Sequence, residues 1–237
     1  MKINKRHYKA KLISESTPFA IKESFFRLRT NLMYTPNDGD GAPVYAVTSS
    51  DSGVGKSTVT ANLALSFAQI GKRVLLVDAD MRLPTQYKFF SIDKSHHGLS
   101  ELLSGIESDY RNVIVKSSDG LNIVSAGCIP PNPSALLHSR RFGELVEEWK
   151  KDFDIVLIDC PPAGIVTDPL AISGSVSGYI VVILANYSRS TKVNSCISNI
   201  ERVGGKVVGV VVNASSLKGS KGKRYAKGKY ANNYYYQ

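Results

Sequence analysis

Ten residues, Ser49 to Thr58, read SSDSGVGKST, and their types suit the binding of a polyphosphate. The backbone N–H groups of Ser52, Gly53, Val54, Gly55, Lys56, Ser57 and Thr58 are candidates to wrap the phosphates. Gly53 and Gly55 let the backbone approach without a Cβ in the way. A helix starting at Lys56 adds the partial positive charge of its N-terminus. Lys56 is placed to reach the outer phosphates, and the Ser57 hydroxyl to ligate Mg²⁺. Ser50 stands where the usual pattern opens with glycine, and a small residue suffices there. Because Lys56 faces ligand in this reading, Lys56→Met is expected to keep the fold.

Three acids belong with this loop. Asp78 and Asp80 follow the apolar run Val74 to Val77, and Asp159 follows Ile155 to Ile158. Parallel sheets collect their ligands at the carboxyl ends of the strands. All three acids are therefore expected around one phosphate–Mg²⁺ site, with Ser57, Asp78 and Asp159 as metal ligands. Arg82 either folds back onto phosphate or pairs with an acid. Asn213, ending the last strand, is a candidate for the adenine edge, since its amide both donates and accepts.

The elements that must position these residues alternate along the chain. Pro18 starts a helix running to about residue 34, with Thr17 as its cap and an apolar stripe from Phe19 to Met33. Strands are expected at 44–49, 74–77, 121–125, 155–158, 179–184 and 207–212. Helices are expected at 56–70, 98–104, 134–150 and 190–202. Strands alternating with helices imply an α/β fold: a mostly parallel sheet flanked by helices in three layers. Residues 1–17 read as a basic N-terminal arm, 18–214 as the catalytic domain, and 215–237 as a flexible tail.

Charge supports that division. The 237-residue chain carries a net +10, and 215–237 holds six basic residues and no acid, so removing it leaves +4. Basicity is thus mainly a property of the tail, and no specific nucleic-acid partner is implied for the body. The tail also holds Tyr225, Tyr230, Tyr234, Tyr235 and Tyr236, five of the twelve tyrosines. Cys128, Cys160 and Cys196 lack metal-ligand spacing and suggest reduced thiols in a cytoplasm. No apolar run approaches the length that spans a bilayer, so a membrane role is expected to come through a partner.

These motifs together resemble the bacterial tyrosine kinases, of the stand-alone cytoplasmic type found in capsular and extracellular polysaccharide operons. SSDSGVGKST resembles that family's Walker A, VLLVDADMRLP its Walker A′, and IVLIDCPP its Walker B. GCIPPNPSALLHS resembles its Pro-Pro-Asn-Pro segment, and the tail its tyrosine cluster. The resemblance implies a P-loop fold turned to protein phosphorylation. Lys56 and Ser57 hold ATP–Mg²⁺, Asp78 and Asp80 act near the attacking hydroxyl and the metal, and Asp159 on the metal shell. The five tail tyrosines are the first acceptors. The implied partners are the cytoplasmic segment of a transmembrane polysaccharide co-polymerase, a phosphotyrosine phosphatase, and further copies of the chain in a ring. The family's ring helix carries Glu-x-x-Arg-x-x-Arg; Glu23 and Arg29 match, but Phe26 takes the first arginine's place and Arg27 follows it.

Two other readings compete. A ParA/MinD-type ATPase switch carries a signature lysine where this chain has Asp51, whose charge has the wrong sign to reach a partner's phosphate. A scaffold with a lipid- or nucleic-acid-binding tail is the other. An iron–sulfur carrier ATPase calls for a Cys-x-x-Cys pair, which the sequence lacks.

Overall fold

The computed structural model describes residues 12–37 and 39–214; the tail tyrosines lie outside the described residues. Seven strands form one sheet in the order β3-β4-β2-β5-β1-β6-β7. They are β1 (Val44–Ser49), β2 (Val74–Asp78), β3 (Ile114–Lys116), β4 (Asn122–Val124), β5 (Ile155–Asp159), β6 (Gly178–Leu184) and β7 (Val207–Asn213). All neighbours pair in parallel except β3 and β4. The helices are α1 (Phe19–Met33), α2 (Lys56–Ala68), α3 (Gln86–Phe89), α4 (Leu99–Ser104), α5 (Pro133–Leu137), α6 (Arg140–Asp152) and α7 (Ser190–Arg202).

The central strands are apolar throughout because both faces are covered. Alternate residues feed two separate cores. Tyr45, Val47, Leu76 and Leu157 point to the side of α1 and α2. Val44, Ala46, Leu75 and Val156 point to the side of α6 and α7. There Trp149 meets Tyr110 edge-on at 6.4 Å and Phe142 at 6.2 Å between ring centroids.

The structure departs from the sequence reading in four places. Residues 134–150 form two helices, because Ser139 is extended (φ −70°, ψ 151°) and turns the chain between α5 and α6. Strand β3 has only three residues, too few to show periodicity. Thr17 does not cap α1; its hydroxyl accepts from the Ser14 N–H in the preceding turn. Ile13, placed by the sequence in an extended arm, is buried, and its N–H donates to Asn62 Oδ1 at 2.7 Å.

The sheet register assembles the site. β5 lies between β1 and β2, pairing Val47 with Asp159 and Asp78 with Asp159. The loop after β1 and the acids ending β2 and β5 therefore emerge side by side.

Trp149 is fully buried, and its indole N–H has no hydrogen-bond partner. Trp149→Ala should cost about 3–5 kcal/mol as a large cavity opens. Trp149→Phe should cost distinctly less, since it also removes an unsatisfied donor worth about 1–3 kcal/mol. Urea unfolding followed by far-UV circular dichroism checks the ordering.

Candidate active site

The loop between β1 and α2 has the backbone its glycines foretell. Gly53 (φ 73°) and Gly55 (φ 86°) are both left-handed, a conformation costly for residues with a Cβ. Gly55 is also crowded: a Cβ there would lie 2.2 Å from Asn213 Nδ2. Val54 is buried and anchors the loop in the α1–α2 core. Ser52 and Gly53 face solvent, and Ser57 and Thr58 form the first turn of α2. Gly164 supports the loop from behind, where a Cβ would meet the Ser50 carbonyl at 2.2 Å. A cavity of about 300 Å³ opens above, walled by this loop and by Asp80, Leu83 and Thr85.

Lys56 is the centre of the site. Its side chain is only 7 % exposed. Its Nζ lies 2.6 Å from Asp159 Oδ1, 3.5 Å from Asp80 Oδ2 and 3.2 Å from Ser57 Oγ. Burial alone would lower the ammonium pKa, but Asp159 and Asp80 outweigh it and raise it above the ordinary lysine value. The charge is thus fixed at the head of α2. The expectation that Lys56 faces only ligand is corrected here: it is also the countercharge of a fully buried Asp159.

The three acids take different roles. Asp80 lines the cavity, and burial, only partly offset by Lys56, raises its pKa. Asp159 lies beneath, with Oδ2 accepting from Gln86 Nε2 at 2.8 Å. Asp78 was expected as a metal ligand; the structure instead makes it a staple of the loop that follows β2. Its Oδ2 accepts from the N–H groups of Thr85 (3.1 Å) and Gln86 (3.0 Å), and its Oδ1 from that of Asp80 (3.2 Å). Burial first, then the charge of Asp159, pushes its pKa up to about 7. Among the described residues, no three or more His, Cys, Asp or Glu gather into a metal-holding group. Ser57 Oγ and the Asp80 and Asp159 carboxylates are nevertheless an all-oxygen set. That chemistry fits a hard cation shared with phosphates better than a protein-only cage.

Four other candidates are redirected. Arg82 turns away from the phosphate loop and grips Asp168 with two hydrogen bonds, 2.7 and 2.9 Å. Asp168 is fully buried, also accepts from Ser134 Oγ, and so ties the β2 loop to α5. Burial opposes its ionisation, but Arg82 and Ser134 prevail and lower its pKa. Asn213 donates to the Val54 carbonyl at 2.8 Å, so its amide braces the phosphate loop rather than presenting itself to adenine. Arg29 reaches back to the Ser66 carbonyl at 2.5 Å and lies over Phe26, so its guanidinium has partners within the chain. Glu23 pairs along α1 with Arg27 at 3.4 Å, and both side chains stay exposed on the outer face of the helix.

Gln86, Lys192 and Gly164 escaped the sequence reading, and Asp168 had no role in it. Lys192 of α7 meets Asp51 at 2.6 Å, and Ser50 Oγ donates to the same carboxylate at 2.9 Å. The Lys192 hydrogen bond holds the Asp51 pKa low, so an acid beside the phosphate loop carries its own cation. None of these four sits in a recognisable spacing; each acts by long-range contact.

Comparison with known proteins agrees with this geometry. A family model described as ParA, NUBPL iron-transfer P-loop NTPase, matches residues 42–229. The chain is 35% identical over 196 residues to tyrosine-protein kinase CpsD of Streptococcus agalactiae, covering 82% of this chain and 83% of that protein. The crystal structure of the chimerical protein CapA2B2 superposes with a TM-score of 0.76 at 35% identity, covering 83% of this chain and 85% of the other. The kinase domain of the Escherichia coli tyrosine kinase ETK gives 0.77 at 27%, covering 87% and 85%.

Lys56→Met should destabilise the nucleotide-free protein by about 3–5 kcal/mol, because it leaves a buried carboxylate unpaired. Adding Asp159→Asn should restore most of that loss. Denaturant melts of the single and double variants decide it; a double variant no more stable than Lys56→Met would show that the unpaired carboxylate is not the source of the loss.

Proposed function

The chain belongs to the ParA-type P-loop NTPases and, within them, to the bacterial tyrosine kinases, and we propose that it phosphorylates the tyrosines of its own C-terminal cluster. The observation that carries the reading is the buried ammonium of Lys56, held by Asp159 and Asp80 at the head of a glycine-built phosphate loop. The sequence supplies acceptors in Tyr225, Tyr230, Tyr234, Tyr235 and Tyr236. The iron-transfer description of the wider family finds no counterpart in the three scattered cysteines.

In this mechanism the loop N–H groups and Lys56 take the phosphates of ATP. Lys56 exchanges carboxylate partners for phosphate oxygens and steadies the charge that builds on them. Ser57 Oγ and the Asp80 and Asp159 carboxylates would hold Mg²⁺, which would supply charge neutralisation to the phosphates. Asp80, exposed to the cavity and raised in pKa, accepts the phenol proton of the incoming tyrosine. The phenol oxygen bonds to the γ-phosphorus as the bond to the β–γ bridging oxygen breaks, releasing ADP. Asp78 and Arg82 act indirectly: they fix the loop that carries Asp80.

The same proposal covers the cellular role. The kinase regulates capsular or extracellular polysaccharide synthesis and export. The cytoplasmic segment of a transmembrane co-polymerase activates it and brings it to the inner face of the membrane. A phosphotyrosine phosphatase reverses the modification. No helix among the described residues is long and apolar enough to cross a membrane. Homo-oligomers form through α1, with Glu23 and Arg27 as its outward charges. Each phosphate adds about −1.5 to −2 units, so full labelling reverses the +6 of the tail and disperses the assembly.

Incubation with ATP–Mg²⁺ and detection of phosphotyrosine tests the activity. The wild type should label itself, and the variant with all five tail tyrosines changed to Phe should lose most of the label. Asp80→Asn should lower turnover far more than ATP affinity, the pattern of a group acting in the transition state. ADP release with no phosphotyrosine would favour the ATPase-switch reading instead.

A further inference from the structure

We propose that Gln86 is a positioning residue that keeps the Asp159 carboxylate aimed at the metal once Lys56 has moved to phosphate. In the structure Asp159 is gripped at both oxygens. Lys56 Nζ holds Oδ1 at 2.6 Å, and Gln86 Nε2 holds Oδ2 at 2.8 Å. ATP binding requires Lys56 to give up Oδ1. Asp159, with no solvent exposure, then depends on Gln86 to hold its plane.

Gln86 is built for that task. Its side chain is fully buried, and its own N–H is fixed to Asp78 Oδ2 at 3.0 Å. The same Nε2 reaches the Ser57 carbonyl at 3.2 Å, so one amide links β5 to the first turn of α2. A neutral donor orients a carboxylate without cancelling its charge, which a lysine or arginine at this place would do. The full negative charge stays available to a cation at Oδ1, the oxygen Lys56 leaves. A further observation points to a missing partner: Gln86 Oε1 is buried with no hydrogen-bond partner, and so is the adjacent Thr85 Oγ1. A buried amide oxygen is rarely left unsatisfied. An acceptor here would accept a hydrogen bond from a water brought in with a cation.

The inference rests on the nucleotide- and Mg²⁺-binding half of the kinase reading and is independent of phosphoryl transfer. A chain that binds Mg²⁺–ADP yet labels no tyrosine would refute that reading and leave this test intact. The experiment measures the affinity of the full chain for a fluorescent N-methylanthraniloyl-ADP, in EDTA and in excess MgCl₂. The readout is the ratio of the two affinities. Gln86→Met keeps side-chain length and removes both amide atoms. It should leave the EDTA affinity within about two-fold, since the phosphates are held by the loop N–H groups and Lys56, and lower the Mg²⁺ enhancement by about ten-fold or more. That is the loss expected for a hydrogen bond to a charged group. An unchanged ratio overturns the proposal. So do equal losses in EDTA and Mg²⁺, which would mark Gln86 as packing only, and a wild type whose ADP affinity ignores Mg²⁺. If Gln86→Met does not melt cooperatively, Gln86→Leu is measured instead; it is uncharged, fills much of the same space and lacks the donor. A reduced ratio there supports the assignment, and a wild-type or larger one overturns it.

Discussion

The Lys56–Asp159 ion pair is the constraint around which the rest of the molecule is arranged. Two opposite charges lie together beneath the surface, 2.6 Å apart. Such a pair contributes little net stability, yet either half alone is costly. It therefore acts as a stored anion site. The lysine is desolvated and aimed before any phosphate arrives, so the reorganisation needed on binding is an exchange of one oxyanion for another. The glycine turn, the helix start and the fully buried strand end all serve to bring these two side chains together.

A second layer keeps the loop after β2 in place. Asp78 gathers three backbone N–H groups, and Arg82 is tied to Asp168, which α5 holds through Ser134. Asp80 sits between these two fixings and is the acid that the cavity exposes. The division of labour follows from solvent access more than from residue type. One aspartate is buried as a staple, one is paired to the lysine, and one is left within reach of a substrate.

The sequence exposed much of this because its signals were local. Strands β1, β2, β5 and β6 and helix α7 stand where apolar runs and periodicity placed them. The loop geometry at Gly53 and Gly55 follows from residue types alone. What stayed hidden depends on contacts between distant segments. Gln86 reaches Asp159 across 73 positions, Arg82 reaches Asp168 across 86, and Asn213 reaches Val54 across 159. No spacing rule encodes such pairs. Asp78 misled for the opposite reason: its position after a strand is that of a ligand, and only burial reveals that its oxygens are already taken. The break at Ser139 was invisible because residues on either side share good helix chemistry.

The strand order also governs when the protein can acquire its site during synthesis. β1 is flanked by β5 and β6, not by β2, its successor in the chain. Much of the phosphate loop's support therefore comes from segments made more than a hundred residues later, and Asp159 closes the ion pair with Lys56 from across 103 positions. A ribosome-bound chain that has exposed the glycine loop and α2 has no acid at β5 and no Gly164 behind Ser50. It holds an uncompensated lysine at the head of α2, behind a strand with two open edges. Nucleotide affinity should then appear late, as the last quarter of the chain, with β6 and Asn213, leaves the exit tunnel. Until then the growing chain presents unpaired strand edges that are open to association with other chains.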